Sequence, residues 1–341
     1  MTKRIVAIGA VVLAFGATAA VAVALWPKRT HKAVTTSTSA TLTVPATTGL
    51  AGVPDPADQL FALQPVVGPL PIHYAFKHPP LAGMLFNLKT GEVLWQRNPH
   101  LQHPIASLTK MMTALLVARG DAPKDRVRIS AKAAHTPGSA TGLLPRGRAV
   151  PLEPLLQALI MISANDAAVA LAQHDAGTVT RFVKKMNSQA HEMGLSCTHF
   201  STPNGLRDRN NYSCAEDLAE LARADLANPA IAGIAQTRYA KPRFPIKGKH
   251  LYLSNNHYFL QRGLTGMPQA QVTGLKTGFT DKAGRCYVTT ARVGGVQLGA
   301  IVLDSPNPLT QVPALLRAGF VHAGVVAPAP RPQALAAPPR D

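Results

Sequence analysis

Aromatic residues make up only 5% of this 341-residue chain, acidic residues number 17 and cysteines 3. Each shortage removes a class of function. Surfaces that bind nucleic acid combine clustered basic residues with aromatic platforms. Here the basic residues are scattered, so nucleic acid is not expected as a partner despite a net charge of +18. Cys197, Cys214 and Cys286 cannot all pair, and no spacing among them resembles a zinc site. Cys197 and Cys214 are near enough in sequence for one bridge in an oxidising compartment. Small buried hydrophobes are the equal alternative. His191-Glu192 lacks the second histidine of a metalloprotease helix. Neither a metal nor a cofactor is expected.

What is present at the N-terminus is an uncharged apolar run from Ile5 to Trp26, preceded by Lys3 and Arg4. It is long enough to span a bilayer, while Ala20-Val21-Ala22 offers a cleavage site, so residues 1–26 read as a signal peptide or a membrane anchor. Either reading exports the chain to the cell envelope, with the membrane as a partner if the segment is retained. An anionic surface outside the cell, wall polymer or lipid headgroup, then suits the positive charge. Residues 27–71 are rich in Thr, Ala and Pro without periodicity and read as a disordered tether. Residues 327–341 read as a disordered Pro/Ala tail. A folded domain is expected over 72–326.

Within that domain Ala82–Leu88 and Val93–Gln96 flank a Lys-Thr-Gly-Glu turn and predict a β-hairpin. Val127–Ile129 predicts a short strand and Thr141–Pro151 a loop. Helical periodicity follows over Leu152–His174, Thr178–Met193 and Ser213–Leu226, the last with Ser213 and Glu216 as a capping box. Val272–Thr277, Cys286–Val293 and Gln297–Leu303 alternate or run apolar and predict strands, and Leu309–Phe320 predicts a closing helix. Strands, then helices, then strands imply an α+β fold. Its antiparallel sheet would pair first strands with last, and an all-helical subdomain would be inserted between them.

Ser107 and Lys110 stand three residues apart where Leu108, Met111, Met112, Leu115 and Leu116 begin a helical stripe. Residues i and i+3 share a helix face. A serine needs an adjacent base to become a nucleophile, and a lysine serves only if burial or nearby positive charge lowers its pKa. No other serine in the chain has a lysine three positions later. Two further triplets complete the set, Ser163-Ala164-Asn165 in the helical block and Lys276-Thr277-Gly278 on a late strand. Lys89-Thr90-Gly91 and Ser254-Asn255-Asn256 repeat the patterns. The first lies at a hairpin tip and the second outside any helix, so Ser163 and Lys276 are chosen.

The order Ser-x-x-Lys, Ser-x-Asn, Lys-Thr-Gly resembles the serine-type D-alanyl-D-alanine carboxypeptidases, the low-molecular-mass penicillin-binding proteins of peptidase family S11. Ala106–Thr113, Ile162–Ala168, Gly274–Gly284 and Pro203-Asn204-Gly205-Leu206 all look like blocks of that family, and the resemblance runs from about residue 75 to 322. It implies a β-lactamase/DD-peptidase-like fold. It implies that Ser107 forms an acyl-enzyme on peptidoglycan stem peptides ending in D-Ala-D-Ala, and that β-lactams inhibit covalently. Lys110 would take the serine proton and Ser163 would relay one to the departing D-alanine. Asn165 would bond the substrate amide and Lys110. Lys276 would add positive field, Thr277 would hold the substrate carboxylate, and Gly278 would let substrate lie along the strand. The backbone N–H groups of Ser107 and Phe279 would form the oxyanion hole. Phe279 stands where some members carry a polar residue.

Three other functions stand beside this one. A DD-endopeptidase would use the same residues on cross-links. A class A β-lactamase needs a deacylating glutamate, for which Glu192 is the nearest match and lacks the accompanying Asn. A non-catalytic wall-binding module would have no use for Ser107, Lys110, Ser163 and Lys276 together.

Overall fold

The computed structural model describes residues 61–328. Strands β1 (Ala82–Asn87) and β2 (Val93–Arg97) form the expected hairpin, and β3 (His103–Pro104) leads to a 3-10 turn at Ala106–Thr109 and helix α1 (Lys110–Gly120). Then come β4 (Arg126–Arg128), α2 (Ala131–Ala134), β5 (Ala149–Pro151), α3 (Leu152–Met161), α4 (Asn165–Ala176), α5 (Val179–Glu192), β6 (Tyr212–Ser213), α6 (Ala215–Ala227) and α7 (Pro229–Ala235). The return comprises β7 (Tyr239–Ala240), β8 (Leu253–Ser254), α8 (Tyr258–Arg262), β9 (Gln271–Thr280), β10 (Gly284–Val293), β11 (Val296–Leu303) and α9 (Pro308–His322).

Five strands make one antiparallel sheet in the order β2-β1-β11-β10-β9. The first hairpin therefore pairs with the last strand, Met84 lying opposite Ile301. Both faces of this sheet are covered, which explains why β1 reads as an unbroken apolar run rather than an alternating one. Met84 and Phe86 pack with α1, α3, α4 and α6 on one face. Leu85, Leu298, Ala300 and Val302 pack with α8 and Val312, Leu316 and Phe320 of α9 on the other. Burial of this kind is worth roughly 25 cal/mol per Å² of apolar surface and supplies most of the folding drive. Strand β9 has a partner on one side only, which leaves its outer edge open toward the helical subdomain.

Four expectations are revised. The helix expected over Leu152–His174 is two helices, broken at Ile162–Ala164, where Ser163 takes φ +60°. The capping box at Ser213 and Glu216 does not form. Ser213 pairs with His103 as a strand residue, its hydroxyl meets Thr198 Oγ1 at 2.7 Å, and Cys214 is the cap residue of α6. The loop at Thr141–Pro151 ends in β5, which pairs with β4. The tether expected to reach residue 71 gives way earlier to chain laid against the body, with Phe61, Leu63 and Leu70 packed on the core. Cys197 and Cys214 are joined, with Cα atoms 5.9 Å apart, while Cys286 is free and buried. The apolar run Ile5–Trp26, residues 27–60 of the expected tether and residues 329–341 of the expected tail lie outside the described residues. Among the described residues no helix is long and apolar enough to cross a membrane.

Residues 61–64 are held by Arg223, whose guanidinium donates to the carbonyls of Phe61, Ala62 and, at 3.0 Å, Leu88. Leu63 N–H donates to Glu220 and Gln64 N–H to Gly91 O. Hydrogen bonds from charged groups are worth about 1.5–3 kcal/mol. Arg223→Ala is expected to lower unfolding free energy by about 2 kcal/mol in urea titration and to open residues 61–70 to limited proteolysis; unchanged protection would contradict this anchoring.

Candidate active site

Ser107 sits in the 3-10 turn that opens α1, with Lys110 one turn on and buried. The Lys110 amine donates to Ser107 Oγ at 2.9 Å and to the carbonyl of Asn204 at 2.7 Å. Asn204 precedes Gly205, whose φ is +72° and whose Cα faces Ala106 so closely that a Cβ would stand 1.8 Å from the Ala106 oxygen. Glycine alone permits that approach, and the approach delivers the Asn204 carbonyl to the lysine. Burial first, and the charge of Lys276 second, hold the Lys110 amine well below its ordinary pKa. Asp166 acts weakly the other way.

Gly278 serves a similar purpose on the opposite wall. A Cβ there would meet Ile105 O at 2.9 Å and Ser107 N at 3.0 Å, so β9 lies directly against the turn carrying the nucleophile. Lys276, on the same side of β9, is buried, donates to Thr277 O at 3.0 Å, and has a pKa lowered to about 7 by burial. The break between α3 and α4 turns Ser163 inward, leaving its buried hydroxyl without a hydrogen-bond partner among the described residues. A positive φ at a non-glycine residue stores strain, which the packing of two helices must hold.

Asn165 differs from expectation. Its side-chain amide donates to Pro137 O at 2.9 Å and its backbone N–H to Ser139 O at 2.6 Å, whereas Lys110 takes Asn204 O as its second partner. The neighbouring Asp166 accepts from the backbone of Thr141 and Gly142 and from the Thr141 hydroxyl. Together these bonds fix the loop that brings Ser139 to the cleft.

The cleft itself has a volume of about 480 Å³ and is lined by Ser107, Ser139, Ser163, Asn256, Thr277, Gly278, Phe279, Arg285 and Tyr287. Thus Ser107, Ser163 and residues 277–279 meet at one opening, with Lys110 and Lys276 behind it. Lys89 and Ser254, the rejected copies, do not line it. Asn256, the last residue of the rejected Ser254 triplet, does line it, and three further lining residues carried no local motif: Ser139, Arg285 and Tyr287. The register of β9 and β10 explains two of them, since Tyr287 lies opposite Thr277 and Arg285 opposite Phe279, and directly opposed residues share a face. The alternation of β10 signals this only once its register is known. Cys286, between them, faces the core with its thiol pushed up to about 12 by burial, so it offers no thiolate nucleophile.

Lysine 276 binds its proton more weakly in the fold, about 7, than at its ordinary 10.5. Between these values the unfolded chain holds the extra proton, so stability rises with pH. Urea titrations at about pH 7.5 and about pH 9.5 should show wild type gaining about 2–3 kcal/mol more than Lys276→Met, one pKa unit being about 1.4 kcal/mol. Equal gains would contradict a dry Lys276.

Known proteins resemble this chain. The profile of the D-alanyl-D-alanine carboxypeptidase family matches residues 78–307. A D-alanyl-D-alanine carboxypeptidase of Bacillus subtilis is 33% identical over 236 residues, covering 68% of this chain and 59% of its own length. The chain thus spans less than two thirds of that relative. A D-alanyl-D-alanine endopeptidase of Escherichia coli is 30% identical over 253 residues, covering 73% of this chain and 79% of its own. The crystal structure of a D-alanyl-D-alanine carboxypeptidase from Mycobacterium tuberculosis superposes with a TM-score of 0.67 at 28% identity, covering 77% of this chain and 98% of that one. By the extent of the family match and by these relatives, the chain belongs to the D-alanyl-D-alanine carboxypeptidase family, peptidase S11.

Proposed function

We propose that this chain is a serine D-alanyl-D-alanine carboxypeptidase of the cell envelope, acting on peptidoglycan stem peptides and acylated by β-lactams. The observation that carries the reading is a buried amine, held below its ordinary pKa, 2.9 Å from a serine hydroxyl at the mouth of a cleft. A neutral Lys110 accepts the Ser107 proton as Oγ attacks the carbonyl of the terminal peptide bond. The negative oxygen of the tetrahedral intermediate takes the backbone N–H groups of Ser107 and Phe279, a contribution worth on the order of a hundredfold per donor. Collapse breaks the C–N bond, and the leaving D-alanine amine takes a proton through Ser163, whose unpartnered hydroxyl borders the cleft. Water then cleaves the acyl-enzyme, with Lys110 again as base.

Substrate lies as an added strand along the open edge of β9, its backbone running past Gly278 and Phe279. Asn165, with one amide N–H on Pro137 and its backbone N–H on Ser139, positions the loop that closes the far wall. The substrate carboxylate is held by Thr277, and Arg285 is the cation beside it. Lys276 is buried behind the cleft, on the face of β9 that it shares with Gly278, with its pKa lowered to about 7 by burial, so the guanidinium is the permanent positive charge among the lining residues.

The same geometry weighs against the alternatives. Among the described residues no carboxylate lines the cleft, and Glu192 ends α5 as an exposed residue, which weighs against the deacylating glutamate of a class A β-lactamase. A module that only bound wall would not need a dehydrated lysine bonded to a serine. Export rests on Ile5–Trp26, as a cleaved signal or a retained anchor.

Fluorescent penicillin is expected to label the full chain, and Ser107→Ala to remove the label with the fold intact by circular dichroism; labelling of the variant would move the nucleophile elsewhere. D-alanine release from a stem pentapeptide should exceed cleavage of a cross-linked dimer, the reverse making the enzyme an endopeptidase. Arg285→Ala should raise KM for the pentapeptide roughly 10- to 100-fold, the value of a charged hydrogen bond, with a smaller change in kcat. An unchanged KM would remove Arg285 from the carboxylate subsite.

A further inference from the structure

The helical subdomain carries a second basic feature, formed by residues that do not line the catalytic cleft. The β4–β5 hairpin and the segment between β7 and β8 enclose a concavity of about 340 Å³ bordered by Arg126, Arg243, Lys249 and His250. Beside it a concavity of about 350 Å³ shares Arg126 and adds Arg128 and His174. Among the described residues neither has a carboxylate in its lining, although Asp121 and Asp125 cluster with His174 at one end of the second. His174 faces Asp125 at 3.6 Å, but no ion pair among the described residues engages Arg126, Arg128, Arg243 or Lys249.

Arg126, the cation shared by both concavities, is held in place by backbone. Arg126 donates to Ala149 O at 2.6 Å, and Arg148, next to it on the hairpin, donates to Pro245 O at 3.2 Å. The facing segment is closed on itself by Phe244 N–H to Lys249 O at 2.8 Å and a bridge between Arg243 and His250, with the Phe244 ring buried beneath. Backbone carbonyls thus hold Arg126 and Arg148 without neutralising them, while Arg243 and Lys249 are placed through the backbone of their own segment. Ordering such side chains in advance lowers the entropic cost of binding, and a guanidinium fork fits phosphate oxygens two at a time.

We propose that these two concavities form a track for an extended polyanion carrying repeated phosphodiester groups. A single small anion would call for cations converging on one point, whereas these are spread along two hollows that meet at Arg126. A bilayer surface is too flat to enter both, and the aromatic ring at the site is buried rather than offered for insertion. Bound in this way, the protein stays on an anionic wall polymer while the Ser107 cleft remains free. The inference stands independently of the carboxypeptidase reading.

The test uses the full chain and poly(glycerol phosphate), with binding measured by biolayer interferometry at low and physiological salt. The wild type is expected to bind, with affinity falling at least about tenfold over that range as screening increases. The double variant Arg126→Ala, Arg243→Ala is expected to lose at least about tenfold in affinity with penicillin labelling unchanged. Lys77→Ala, Arg262→Ala, two exposed cations that line neither concavity, removes the same charge elsewhere and is expected to leave binding intact. Equal loss in both double variants would reduce the effect to net charge and overturn the proposal. So would absence of polymer binding, or binding to phosphatidylglycerol vesicles in preference to the polymer through the same residues.

Discussion

Removing water from one amine is the constraint on which the molecule is organised. Lys110 in water would be protonated and useless as a base. Here it is sealed between Ser107, the Asn204 carbonyl and the flank of β9, with Lys276 nearby. Two glycines make the seal possible, because Gly205 and Gly278 let backbone from two directions reach the turn that holds Ser107. A side chain at either position would push away a carbonyl or a strand, and the amine would be rehydrated.

The rest of the fold keeps those pieces from drifting. The nucleophile enters just after the first hairpin, the helical subdomain follows, and β9 returns to the free edge of the same sheet. Because β1 pairs with β11, the chain on both sides of the insertion is locked into one rigid layer, with helices buried against each face. The insertion then has a fixed frame on which to offer Ser163, and it does so by breaking a helix. A continuous helix would keep that hydroxyl on a regular helical face, and the positive φ at Ser163 is the local strain that the break stores.

Much of this was legible from residue order, and the remainder had physical reasons for being hidden. Hydrophobic periodicity marked the hairpin, the three late strands and the closing helix, because both cores are built from those apolar positions. The triplets marked Ser107, Lys110, Ser163 and Lys276, which the fold gathers around one cleft. The break at Ser163 was masked by the strong apolar stripe of Leu155, Leu156 and Leu159, which continues a helical pattern up to the residue where it fails. Lys110's partner was hidden because it is a backbone carbonyl, for which no side chain codes. Arg285 and Tyr287 depend on cross-strand register, and residues 61–71 on a distant arginine. The capping box at Ser213 was lost because that residue pairs with β3 instead.

The protonation state of Lys110 is the account's central claim, and it can be observed directly. In protein labelled with ¹³C at lysine Cε, one resonance, assigned by its loss in Lys110→Arg, should titrate well below the ordinary 10.5. It should move back upward when Lys276 is replaced by alanine. A Lys110 resonance titrating at 10.5 or above in the folded wild type would contradict the account.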